Sequence, residues 1–140
     1  MAFWRDFMTV NLRVFDDISA DLRAASDLTM DDYEVLVQLS EAPERRMRMS
    51  ELSEQVVQSR SRLTQRIDRM VQRGWVRRQP CPEDGRGQFA VLTDEGFDVL
   101  AAAAPDHVES VRRHLIDRLD RDQLRAAAAV IAELAEPPDG

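Results

Sequence analysis

A mainly α-helical fold with one short β-hairpin is what the 140-residue sequence predicts. Three observations carry that prediction. Apolar residues recur at helical spacing over most of the chain. The period falls to two only between Trp75 and Leu92. Alanine is abundant, with runs at 101–104 and 126–129. Apolar residues make up 44% of the chain and charged residues 32%, which is globular rather than disordered material. This length suffices for one domain's core, with room for extra helices.

The first helix is expected over Phe3–Ala25. Trp4, Met8, Leu12, Phe15, Ile18 and Leu22 recur at steps of 4, 4, 3, 3 and 4, an amphipathic stripe that needs a cover. Thr29 opens a second helix, and Asp32 stands at the capping-box distance from it. Residues 41–48 contain Pro43 and several charges and read as a loop. A short helix over Ser50–Val57 follows, with Ser50 as N-cap and Leu52, Val56 and Val57 facing inward. Gln58 and Ser59 make a tight turn into a longer helix that stops at Gly74. Trp75–Gln79 and Gln88–Leu92 read as two strands, with 80–87 as a long hairpin loop. Thr93 caps a helix reaching about Leu119, which Pro105 breaks or kinks. A last helix spans Arg121–Ala135, and Pro137-Pro138 ends the ordered chain.

Two helices joined by so short a turn and followed by a hairpin form a winged helix-turn-helix lobe. The expected division is a lobe over 29–104 and a helical dimerisation region over 1–28 and 105–140. No stretch approaches the roughly 18 apolar residues of a membrane helix. Acidic residues at 6, 16, 17 and 21 argue against a signal peptide, so the expected compartment is the cytoplasm. The single cysteine, Cys81, cannot form an internal disulfide.

The net charge of −7 argues at first against a polyanionic partner. Its distribution reverses that. Residues 45–86 hold eleven arginines and five acids, a balance of +6, and the remainder carries −13. A basic centre in an acidic shell is the footprint of nucleic-acid binding. On the longer helix, Arg62, Arg66, Arg69 and Arg73 fall within about 40° of one another. Ser61, Gln65 and Gln72 extend that face, and Leu63, Ile67, Met70 and Val71 form the opposing apolar stripe. One side can pack on a core while the other enters a major groove of double-stranded DNA. Arginine suits guanine, Gln65 suits adenine, and Ser59, Ser61 and Thr64 suit phosphates. Arg86 at the hairpin tip suits a narrow minor groove, with Asp84 bracing it and Arg77 and Arg78 reaching phosphates. The plainer readings are a solvated charged face and a polar turn.

The motifs are specific in combination. They are Arg48-Met-Ser-Glu-Leu, Ser59-Arg-Ser-Arg-Leu-Thr-Gln-Arg-Ile-Asp-Arg-Met, Arg73-Gly-Trp-Val-Arg-Arg, Pro82-Glu-Asp-Gly-Arg-Gly and Val91-Leu-Thr-Asp-Glu-Gly. Over about residues 28–100 the chain resembles the MarR family (multiple antibiotic resistance regulators). The terminal helices resemble it only in layout. The resemblance implies a triangular homodimer in which two winged lobes bind one palindromic site. By position, 59–69 is then the recognition helix, including Arg60, and Asp84 and Arg86 are the wing's acid and minor-groove arginine. The family often has arginine where Gly85 stands, which implies a wing with fewer phosphate contacts. It further implies a repressor released by a small aromatic or anionic effector, with Trp4, Phe7, Arg13 and Tyr33 as candidate lining residues.

Other chemistry finds little footing. Cys81 has no resolving cysteine beside it, which weakens a redox switch. His107 and His114, seven residues apart, supply two of the three or four ligands a metal needs. No nucleophile-and-base motif or phosphate-binding glycine loop appears, so neither an enzyme nor a cofactor is expected. The alternatives are a winged helix that binds an acidic protein and a redox- or metal-responsive regulator.

Overall fold

The computed structural model describes residues 1–56 and 59–136, less the side chain of Asp84. The expected turn at Gln58, the inward-facing Val57 and the Pro137-Pro138 stop lie outside the described residues. Leu22–Pro105 form one compact unit, and Met1–Asp21 with Asp106–Gly140 form another.

In the first unit, α2 (Met30–Glu41) begins at Thr29 with both bonds of a capping box. Thr29 Oγ1 accepts the Asp32 amide at 3.1 Å, and Asp32 Oδ2 accepts the Thr29 amide at 3.2 Å. Val35, Leu36 and Leu39 are buried from this helix. Helix α3 (Met49–Gln55) buries Leu52. It starts one residue ahead of the expected Ser50 cap, because Glu51 reaches back to accept the Arg48 amide at 3.3 Å. Helix α4 (Arg60–Gln72) buries Leu63, Ile67 and Met70, a stripe with steps of 4 and 3. Each such side chain contributes about 1.5–3 kcal/mol by leaving water.

Gly74 ends α4 with φ +79°, a left-handed conformation that glycine adopts without strain. The chain then forms strands β2 (Val76–Cys81) and β3 (Asp84–Leu92). The hairpin is longer than the sequence suggests. Pro80 pairs with Gln88 and Cys81 with Asp84, across an irregularity between Pro80 and Cys81. Proline is tolerated at such a bulge, so it does not end the strand. A third strand, β1 (Arg46–Arg48), lies inside the expected loop and pairs antiparallel with β3, giving the order β1-β3-β2. Three residues are too few to show a period of two, so β1 has no signature apart from its partner.

Helices α1 (Ala2–Ala25) and α5 (Asp94–His114) each run from one unit into the other. Helix α5 continues through Pro105 and stops at His114, with a 3-10 turn at Ile116–Arg118 in place of the expected extension to Leu119. Its start is tied to the sheet: Thr93 Oγ1 donates to the Gly74 carbonyl at 2.6 Å and accepts the Gly96 amide at 3.0 Å. Leu22, Leu28, Leu100 and Ala103 join the core of the first unit.

The second unit includes α6 (Arg121–Ala135), capped by Asp120. Asp21, in α1, gathers Ser110 Oγ (2.5 Å), Arg113 Nη2 (2.6 Å) and His114 Nε2 (2.8 Å) from α5. Those three hydrogen bonds, led by Ser110, hold its carboxyl down at about 2. Large apolar side chains of this unit stand exposed, among them Phe3, Trp4, Phe15, Ile131 and Leu134.

Candidate nucleic-acid interface

Helix α4 is half core and half surface. Ser59 caps it, its Oγ accepting the Arg62 amide at 3.4 Å. Arg60, Ser61, Arg62, Thr64, Gln65 and Arg69 are all exposed. Arg60, Arg62 and Arg69 make no ion pair among the described residues. Arg62 and Arg69 lie within about 20° of each other on one flank of the helix, while Arg60 stands on the other flank beside the helix N-terminus, where the helix dipole and the amides of the first turn also favour an anion.

Arg66 departs from the expected face. Its side chain is only 12% exposed. Nη2 donates to Asp31 at 2.7 Å, while Nη1 donates to Thr29 Oγ1 at 3.2 Å and also pairs with Asp32. Two carboxylates at the start of α2 outcompete solvent for this guanidinium, so it points into the lobe and away from the reading face. Arg73 is likewise turned aside, its guanidinium 4.7 Å from the centre of the Trp75 ring.

Where the wing meets α4 there is an open groove of about 350 Å³ lined by Arg48, Met49, Ser50, Thr64, Arg78, Arg86, Gly87 and Gln88. Arg78 joins wing to helix, bonding Asp68 of α4 at 2.8 Å and Gln88 at 2.9 Å. Arg77, the strand residue singled out from sequence, lies on the other face of β2, since neighbouring strand side chains alternate. It donates to Gln79 at 3.3 Å. Arg86 is exposed at the groove's edge. The bracing role expected of the Asp84 side chain lies outside the described residues.

Residues 26–87 match the model of the MarR family. The chain is 38% identical to Sco3205, a MarR family transcriptional regulator from Streptomyces coelicolor whose crystal structure contains DNA. That superposition has a TM-score of 0.89 and covers 99% of this chain and 89% of Sco3205. The transcriptional regulator HosA of Escherichia coli O111:H- is 35% identical over 97 residues, which is 69% of this chain and 70% of HosA. The chain belongs to the MarR family. It is a DNA-binding transcriptional regulator with the winged-helix fold of that family. A shorter and closer match, 46% identical over 52 residues, is to the regulator PecS of Dickeya dadantii. It takes in 37% of this chain and 31% of PecS.

In this MarR-family chain the groove residues Arg48, Ser50 and Gln88 are additions to the site read from sequence, and Arg78, expected there at a phosphate, lines the same groove. Arg78 was legible, because it shares a strand face with the buried Val76 that packs toward the lobe. Arg48 and Ser50 were not, because they depend on the unforeseen strand β1. Among the effector candidates, Trp4 and Phe7 are exposed on α1 and stacked with ring centres 6.2 Å apart. Arg13 is exposed farther along α1, and Tyr33 packs against the core of the lobe. Cys81 is buried at the turn end of β2, where it pairs with Asp84. His114 is engaged by Asp21 and Asp17, and no cluster suited to a metal occurs among the described residues.

Proposed function

We propose that this regulator binds a palindromic operator as a homodimer and acts as a cytoplasmic repressor. The observation that carries the reading is the exposed surface of α4, where Arg62 and Arg69 stand with Ser61 and Gln65, and Arg60 and Thr64 occupy the other flank. Arg62, Gln65 and Arg69 supply base contacts, and Ser59, Arg60, Ser61 and Thr64 supply phosphate contacts. The groove between α4 and the wing takes the sugar-phosphate backbone, with Arg48 and Arg78 on its walls. Arg86 then reaches the adjacent minor groove.

Dimerisation supports this reading on two grounds. One recognition helix spans too few base pairs for useful specificity, whereas two-fold pairing matches half-sites one turn apart. The exposed Phe3, Trp4, Phe15, Ile131 and Leu134 supply the apolar surface that a second copy covers. A small aromatic or anionic effector releases the operator by favouring a dimer shape whose lobes no longer fit adjacent grooves. The stacked Trp4 and Phe7 are its proposed aromatic contacts.

The test is selection of duplexes from a random DNA pool at near-physiological salt, with Arg86→Ala in parallel. The expected result is an enriched palindrome of roughly 16–20 base pairs, as two half-sites about one turn apart require. Binding by the variant should be weaker while the dimer persists. A folded dimer that enriches no sequence would turn the search to acidic protein partners.

A further inference from the structure

We propose that Arg66 is a positioning residue, which sets operator affinity by fixing the seat of the recognition helix without touching DNA. This inference rests on the DNA-reading role of α4. The side chain leaves the lobe-facing flank of α4 and ends in a three-part socket at the start of α2. Asp31 receives Nη2 at 2.7 Å, and Thr29 Oγ1 receives Nη1 at 3.2 Å. Asp32 pairs with Nη1, and its side chain is only 15% exposed.

The socket is also the cap of α2. Asp32 uses Oδ2 for the Thr29 amide and Oδ1 for Arg66, and Thr29 Oγ1 serves both the Asp32 amide and Arg66. One set of atoms therefore ends one helix and anchors the other. A planar guanidinium fork meets both carboxylates at once, which a lysine ammonium cannot reproduce. Arg62 and Arg69 lie four residues before and three after Arg66 on the same helix. A rotation of α4 about its axis moves both of them, and groups that read a ligand need placement within roughly 0.5 Å. Releasing Arg66 toward DNA would leave the little-exposed Asp32 without its cation.

Charge makes the proposal separable from a direct contact. Asp31→Asn removes a negative charge from the DNA-binding lobe, so general electrostatics raise affinity. Loss of the socket lowers it. Arg66→Gln, Asp31→Asn and the double variant would be titrated with the palindrome selected by the wild type, over a salt series. Helicity and dimer mass would be checked for each. The expected result is a loss of about tenfold for either single variant, with the double variant no worse than the singles, the signature of coupled neighbours. The slope of log affinity against log salt stays at the wild-type value, because no phosphate contact is lost.

If Arg66→Gln lowers that slope by about one, or relaxes preference at one base pair while Asp31→Asn binds no worse than wild type, Arg66 contacts DNA and the proposal is overturned. Folded variants that bind with wild-type affinity also overturn it and leave Arg66 as a stabilising pair only. Should Arg66→Gln fail to fold, Asp31→Asn carries the same test, since Asp31 is half-exposed and the Asp32 arm remains. A wild type that selects no duplex fails the DNA reading first, and this inference with it.

Discussion

Arginines that look alike in the sequence of α4 do three different jobs in the structure. Arg62 and Arg69 face solvent, Arg66 is clamped by Asp31 and Asp32, and Arg73 lies over the Trp75 ring. Arg62→Ala and Arg69→Ala should each cost about 1–3 kcal/mol in operator binding and relax preference at one position. Binding assays over single-base variants of the operator check this, and a uniform loss at all positions would reassign the residue to a phosphate. At the wing tip, a side chain added at Gly85 meets nothing within 4 Å. Gly85→Arg should therefore fold normally and tighten binding, with the salt slope steeper by about 0.9 for one added phosphate contact. Asp21 makes a prediction about acid stability. Its carboxyl lies near 2 in the folded chain against an ordinary 3.8, so the stabilisation is full above pH 4 and disappears as pH falls toward 2. Thermal midpoints of wild type and Asp21→Asn should differ at pH 5 and converge near pH 2.

At the scale of elements, the junctions carry the constraint. Gly96 opens α5 directly beneath the Trp75 backbone, and a Cβ there would sit 2.1 Å from the Trp75 carbonyl oxygen. Gly96→Ala must push the wing and α5 apart, at a cost of about 1–3 kcal/mol or more. Denaturant unfolding would measure it, and a variant as stable as wild type would show that this junction yields freely. The helices themselves were legible in sequence, since α2 and α4 each bury an apolar stripe and α1 carries one at helical spacing that is buried only at Ile18 and Leu22. The small pairing elements were not. Strand β1 spans three residues and is held only by its partner β3. The ends of β2 and β3 lie among prolines and glycines whose local preference is for turns.

For the whole molecule, charge and apolar surface are separated along the chain. The basic residues concentrate between 45 and 86, and the large exposed apolar side chains concentrate near the two ends. If the proposed homodimer covers this surface, Ile131→Asp with Leu134→Asp should shift it toward monomer, because a charge buried in an apolar interface has no partner. Sedimentation across a concentration series would show the change, and the lobe should keep its helical signal. Operator affinity should fall steeply in the same variant, since two half-sites then bind independently. An unchanged dimer would place the subunit interface elsewhere.

The sequence by itself determined the helical stripes, the capping box at Thr29, the basic centre and the motifs of the MarR family. All of these depend on residues near one another along the chain, where spacing and charge are visible directly. Only the tertiary structure decided which arginines face outward. Arg66 and Arg62 lie on one helical face, yet Asp31 and Asp32 lie some thirty-five residues away in sequence from the arginine they hold. It also brought Arg48, Thr64, Arg78 and Arg86 together around one groove. The reason is physical: an exposed guanidinium and a clamped one have the same local sequence signature, and only a distant carboxylate, folded to within hydrogen-bonding distance, separates them.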